Sequence, residues 1–292
     1  MHKLLNINDL SQKQFLDILN YANQLNSKIE DCLSNKHIGL IFEKHSTRTR
    51  LSFQVGISQL GGNSIDIKLE ELNLQRQESF EDTFEVMSCY LDCLVFRTNN
   101  HQKLEKAQKY FKKPIINALS DVSHPCQAIS DIFTLKEHFG STDNLKIVWM
   151  GDVNNVLLSL AQTMSFLNNS FIDVFTDQAI YEKNKNYYQS IKNIKFHFEI
   201  NYDVLISAKC IMTDVYNSMN DTHDKEIILR KFQVNSNIMS KLSKDAVFMH
   251  CLPAKIGSEV TSEVIKGNQS IVLKQAKNRM VAQRGILKWL DI

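Results

Sequence analysis

Short apolar runs alternate with longer stretches whose hydrophobic residues recur every three or four positions, from about residue 38 to about residue 273. The runs at 38–42, 64–67, 93–97, 114–117, 146–150, 171–175, 210–213 and 246–250 predict buried strands, and the stretches between them predict helices. Strand and helix in alternation give an α/β protein with mainly parallel sheets. Between the fourth and fifth runs lies an amphipathic segment, 126–139, that ends at Gly140-Ser141 and predicts a helix passing from one domain to the other. The domain boundary is therefore expected near residue 140. Helical patterns at about 11–32 and about 274–290 remain once two sheets are built, and the closing one, with Ile286, Leu287 and Leu290, is expected to pack back on the first domain.

Composition narrows the class. The chain has 292 residues, 43% hydrophobic and 23% charged, which suits two globular domains and excludes disordered and fibrous classes. Its 34 basic and 32 acidic residues leave a net charge of +2, so nothing global points to nucleic acid or a membrane, and any anion recognition must be local. Lysine-rich stretches at 103–113 and 183–195 are interleaved with apolar residues and read as solvated helix faces. Six cysteines are scattered without a C-x-x-C pair, as expected of reduced thiols in a cytoplasm. No apolar run approaches the ~18 residues of a membrane span, and the start of the chain lacks a secretory h-region. A soluble cytoplasmic protein is expected.

Candidate chemistry concentrates where predicted strands end, which is where open parallel sheets bind ligands. After the first strand, Ser46, Thr47, Arg48, Thr49 and Arg50 fall at a helix start, where unpaired backbone N–H groups and the macrodipole favour an anion. Read alone, S-T-R is an ordinary N-cap followed by solvated arginines. The third strand ends at Arg97, and His124-Pro125-Cys126-Gln127 follows the fourth. Together these suit a phosphorylated substrate with a polar carbonyl: arginines for phosphate, His124 and Thr49 as donors to oxygen, Gln127 as acceptor for an adjacent NH₂. The second half supplies Gly151-Asp152-Val153-Asn154-Asn155, Asp214 to Met219, and His250-Cys251-Leu252-Pro253. An Asp, a Ser and an Asn there suit the ammonium and carboxylate of an amino acid. Gly151-Asp152 is no dinucleotide fingerprint. Individually, His124 can be a structural histidine, Cys251 an inert thiol and Asp214 an Asx-turn residue.

The order of these segments resembles the aspartate/ornithine transcarbamylase family over nearly the whole chain. The resemblance rests on residues 42–50 (F-E-K-x-S-T-R-T-R), Glu78-Ser79 with Asp82-Thr83, Arg97, H-P-x-Q at 124–127, G-D-x-x-N at 151–155, D-x-x-x-S-M at 214–219, H-C-L-P at 250–253 and Asn278-Arg279. It implies two αβα domains bridged by helices, 1–140 binding carbamoyl phosphate with the closing helix 274–292 packed on it, and 141–273 binding ornithine. It also implies a homotrimer, no metal and no organic cofactor. Ser46, Thr47, Arg48, Thr49, Asn73 and Arg97 would hold carbamoyl phosphate. Thr49, Arg97 and His124 would polarise its carbonyl, and Gln127 with the Leu252 carbonyl would receive its NH₂. Asn155, Asp214, Ser218 and the Met219 backbone would bind the ends of ornithine, while Cys251 and Arg279 complete the site. Arg48, Arg97, His124, Asp214, Cys251 and Arg279 are the implied catalytic set, with Cys251 and Asp214 the candidates to accept the proton lost by the attacking amine.

Where the pattern departs, Asn220 follows Met219 in place of the usual glycine, Asn73 stands where the family has Gln or His, and Gln75 replaces a common glycine. Ala254-Lys255 follows Pro253, without the arginine of the H-P-L-P-R typical of aspartate enzymes. A putrescine enzyme would not need the groups that bind an α-amino acid, and a non-enzymatic scaffold would be expected to lose the catalytic side chains first.

Overall fold

The computed structural model describes residues 3–44, 46–72, 78–217 and 224–292. Asn73, Gln75, Ser218, Met219 and Asn220 lie outside the described residues. The chain divides into two compact units, Met1–Phe133 with Asn278–Ile292, and Thr134–Lys277.

The first unit contains α1 (Gln12–Ser27), β1 (His37–Phe42), α2 (Thr47–Gln59), β2 (Asn63–Ile67), α3 (Phe80–Tyr90), β3 (Cys93–Arg97), α4 (His101–Tyr110), β4 (Ile115–Leu119) and the start of α5 (Pro125–Phe139). Its strands are all parallel, in the order β2-β1-β3-β4, and Leu4 bridges to Ile116 beyond β4. Because β1 lies between β2 and β3, the connections leave to opposite sides and a crevice opens outside the carboxyl ends of β1 and β3. Helix α2 takes its core face from Phe53 and Ile57 and turns Leu51 and Val55 outward. On the sheet, Ile41, Leu94, Phe96 and Ile115 pack with Phe84 and Met87 of α3 and Leu104 of α4. Burying each such side chain contributes roughly 1.5–3 kcal/mol, so apolar periodicity sets which helix face meets the sheet.

The second unit continues with β5 (Lys146–Met150), α6 (Asn155–Met164), β6 (Phe171–Phe175), α7 (Gln178–Asn184), β7 (Ile194–His197), α8 (Tyr202–Ile206), β8 (Cys210–Thr213), α9 (Glu226–Leu229), α10 (Ser236–Met239), β9 (Val247–His250), α11 (Ser262–Ile265) and α12 (Val272–Leu290). Its parallel sheet has the order β7-β6-β5-β8-β9, which puts its switch point between β5 and β8. Strand β7 corrects the expectation of a helical face over 183–195: after α7 the helical path lasts only through a 3-10 turn at Lys185–Tyr187, and the chain pairs with β6 from Ile194. As the last strand of its sheet it is only partly buried, so its hydrophobic signal is weak.

The division between the units falls inside α5 and inside α12. In the first unit Gly285 of α12 lies against α1, where an added Cβ would stand 2.7 Å from the Ile18 carbonyl oxygen. Glycine permits that approach. No helix among the described residues is long and apolar enough to cross a membrane.

Candidate active site

In the first unit, the crevice end of β1 and β3 gathers the predicted anion-binding residues. Ser46 is the N-cap of α2, yet its hydroxyl makes no cap to its own helix; it accepts from Arg97 Nη1 at 2.9 Å. The helix start therefore keeps backbone N–H groups for an anion, as the first turn of any helix leaves them unpaired. Thr47 and Arg48 are exposed, whereas Thr49 is buried and its Oγ1 accepts from Arg279 Nη1 at 3.1 Å. Glu43 braces the approach: its backbone N–H donates to the Arg97 carbonyl, and its carboxylate takes Thr98 Oγ1 and pairs with Lys103. Arg50 is turned elsewhere, ion-paired with Asp66 at 3.8 Å with its guanidinium over the Phe42 ring. That arrangement departs from the anion-binding part given to Arg50 by its spacing.

His124 and Gln127 enter from the start of α5. Asn117 Nδ2 donates to the Ser123 carbonyl and the Ser123 N–H donates to Ser120 Oγ, so a buried polar knot sets the turn just before His124. Burial, and then the positive charges of Arg279 and Arg97, hold the His124 imidazole well below the usual histidine range. It is neutral and can donate a hydrogen bond without becoming an imidazolium. Burial pushes the neighbouring Cys126 thiol up to about 12, which makes it a packing residue and not a nucleophile. Gln127 is buried, and its Nε2 donates to Asp131 Oδ1 at 2.7 Å.

In the second unit the chemistry again sits beside the switch point. Gly151 ends β5 with φ +121°, and a Cβ there would stand 2.8 Å from the Tyr216 ring, so both backbone and space require glycine. Asn154 caps α6 through the N–H groups of Val156 and Leu157, and its Nδ2 donates to Asp214 Oδ2 at 3.0 Å. Asp214 Oδ1 accepts the Val215 N–H and, at 2.9 Å, the Cys251 thiol. Asn155 is the first residue of α6, half-buried. Lys225 pairs with the buried Asp152 at 3.0 Å, while its backbone N–H donates to Asn217 Oδ1.

The segment after β9 is held from within. His250 Nδ1 accepts the Leu252 N–H at 2.9 Å, so the ring proton is on Nε2, which donates to Glu259 Oε1 at 3.0 Å. The Lys255 N–H donates to the same oxygen at 2.6 Å, and both His250 and Glu259 are buried. This carboxylate positions the bend that presents Cys251 and Leu252, the latter at φ +58°.

Asp214, His250 and Cys251 offer ligand atoms within 4.8 Å of one another. They suit a metal ion poorly, because both His250 nitrogens and the Cys251 thiol are already committed to hydrogen bonds.

The first unit thus brings Ser46, Thr47, Arg48, Thr49, Arg97, His124, Gln127 and Arg279 into one unit, and the second brings Asn155, Asp214, Cys251 and Leu252 into another. Asn73, Ser218 and Met219 lie outside the described residues. Sequence reasoning missed Asn154, Asp131 and Glu259. A cap residue in G-D-x-x-N and an acid one turn past Gln127 were readable signals, but Glu259 had none, since its partner is set by the bend.

Comparison with known proteins also divides the chain near residue 140, although its second match runs on through the closing segment that packs in the first unit. Residues 2–137 match the aspartate/ornithine carbamoyltransferase, carbamoyl-P binding domain, and residues 143–290 match the Asp/Orn binding domain of the same family. The chain is 39% identical to an ornithine carbamoyltransferase of Methanococcus aeolicus, with 99% of each chain covered, and 38% identical to one of Prochlorococcus marinus, covering 97% of this chain and 94% of that one. Among solved structures, the ornithine carbamoyltransferase of Thermus thermophilus superposes with a TM-score of 0.90 at 30% identity over 99% of each chain. That of Pyrococcus furiosus does so at 0.86 and 35% over 98% of this chain and 96% of that one. With both halves of its length matched in order and each sheet ending in the chemistry described above, this chain belongs to the aspartate/ornithine carbamoyltransferase family.

Proposed function

We propose that the protein transfers the carbamoyl group of carbamoyl phosphate to the δ-amine of L-ornithine, giving L-citrulline and phosphate. The observation that carries this reading is the convergence at the start of α2, where Arg97 and Arg279 engage Ser46 and Thr49 beside a neutral, buried His124. The phosphate lies at the helix start against Ser46, Thr47, Arg48 and Thr49. Thr49, Arg97 and His124 donate to the carbonyl oxygen as it becomes an oxyanion, the interaction that most lowers the barrier of acyl transfer. Gln127 receives the carbamoyl NH₂, and Arg279 holds Thr49 and adds positive charge. Asn73 is assigned a further contact with carbamoyl phosphate.

Ornithine is assigned to Asn155, Asp214, Ser218 and the Met219 backbone, with Cys251 beside the attacking amine. The amine must lose a proton before it attacks. The carboxylate of Asp214, already accepting from the Cys251 thiol, is one acceptor and the departing phosphate another. Loss of that proton, attack at the carbonyl carbon and expulsion of phosphate balance without any redox step. A role in arginine synthesis, a trimeric assembly and a cytoplasmic location belong to the same proposal. Outward apolar residues on α2 and α3, Leu51, Val55 and Tyr90, support self-association.

The test is a colorimetric ureido assay on purified protein with carbamoyl phosphate and, in parallel, L-ornithine, putrescine, N-acetyl-L-ornithine and L-aspartate. Turnover with ornithine alone is expected. Turnover with putrescine instead would retain the carbamoyl phosphate half and sink the assignment of Asp214 and Asn155, and no turnover with any amine would sink the whole reading.

A further inference from the structure

Gln127 and Asp131 stand one turn apart on α5, both with no solvent exposure. Gln127 Nε2 donates to Asp131 Oδ1 at 2.7 Å, whereas Gln127 Oε1, also buried, accepts no hydrogen bond from any described residue. On a solvated helix face such a pair is common and decides little. In a dry interior it decides which way an amide points. The two ends of a glutamine amide are nearly equal in size and opposite in chemistry, and a carboxylate only accepts. Asp131 therefore holds the NH₂ end and leaves the oxygen as a buried acceptor waiting for a donor, a state that interiors avoid unless something supplies one. Arg97 and Arg279 of the same unit donate to Ser46 and Thr49, and Gln127 Oε1 is a buried acceptor that neither of them reaches.

We propose that Asp131 is a positioning residue that orients the Gln127 amide with its oxygen towards the substrate NH₂, and that the pair makes the site select a carbamoyl group over an acetyl group. The inference rests on the carbamoyl phosphate reading given above. Carbamoyl phosphate and acetyl phosphate share the phosphate and the carbonyl and differ in NH₂ against CH₃. An NH₂ satisfies the waiting oxygen, whereas a methyl leaves it buried and unpaired, and sites built around such a bond reject the analogue that lacks it. Asparagine at 131 could accept from Gln127 or donate to it, so both amide orientations would become available and the selection would fade.

The experiment is isothermal titration with two stable analogues, phosphonoacetamide and 2-oxopropylphosphonate, which differ only in NH₂ against CH₃, and with inorganic phosphate as reference. The wild-type protein is expected to prefer the amide by about tenfold or more. Asp131→Asn is expected to erase most of that ratio while leaving inorganic phosphate affinity within about twofold, and Gln127→Ala to erase it whether or not Asp131 is also changed. If Asp131→Asn does not fold, Asp131→Ser, which also removes the carboxylate, carries the same expectation. An unchanged ratio in a folded Asp131 variant overturns the proposal, as does an equal loss for all three ligands, the mark of a purely structural role. Citrulline turnover by the wild type together with an unchanged ratio overturns this inference alone. Neither turnover nor phosphonate binding by the wild type overturns the carbamoyl phosphate reading and this inference with it.

Discussion

Replacing His124 by glutamine tests whether the imidazole is held neutral. The side chain is 3% exposed, and burial followed by the charges of Arg279 and Arg97 keeps its proton affinity well below the usual 6.5. In the unfolded chain those influences vanish and the group titrates near its ordinary value, about 6.5. The sign follows from which state binds the proton. As pH falls below about 6.5 the unfolded chain takes up a proton that the native protein refuses, so stability falls with pH until the native imidazole itself protonates. Above that point neither state is protonated and the contribution is constant. Within the window the slope approaches the limit set by uptake of one proton, so a change from about pH 7.5 to about pH 5.5 costs the wild type on the order of 1 kcal/mol that His124→Gln does not lose. Urea denaturation of both proteins at these two values measures it, since the other eight histidines of the chain cancel in the difference. The stability gap between wild type and variant should shift towards the variant by that amount on acidification. Identical pH dependence would refute the neutral assignment, because a histidine charged in the native state contributes no such slope.

Glu259→Ala should cost roughly 2–5 kcal/mol in urea denaturation, because it strands two hydrogen-bond donors, the buried His250 Nε2–H and the Lys255 N–H, while Glu259→Gln should recover much of that loss. If the alanine variant were as stable as wild type, the carboxylate would not be what holds the segment after β9. Arg48→Ala should change stability by less than about 0.5 kcal/mol, since the side chain is exposed, yet lower citrulline formation by roughly 10²–10³. Wild-type turnover in a normally folded Arg48→Ala protein would remove Arg48 from the phosphate site.

The chain by itself determined the two-sheet α/β architecture and the kind of chemistry it carries. Its central parallel strands are buried on both faces and so are written as apolar runs, and its ligand groups follow strand ends, where local order along the chain is enough to find them. Helix α2 shows the same legibility, with Phe53 and Ile57 inward at helical spacing. Edge strand β7 did not announce itself, because a partly buried strand needs only a weak apolar pattern. The tertiary structure decided the partners. Arg279 reaches Thr49 across 230 positions, Arg97 reaches Ser46 across 51, and Arg50 is drawn off to Asp66. Glu259 acquires its part only because the chain bends back to His250. Periodicity is local and survives in a sequence, whereas a hydrogen bond between distant residues depends on strand order and on which buried group lacks water. Only the folded chain sets those.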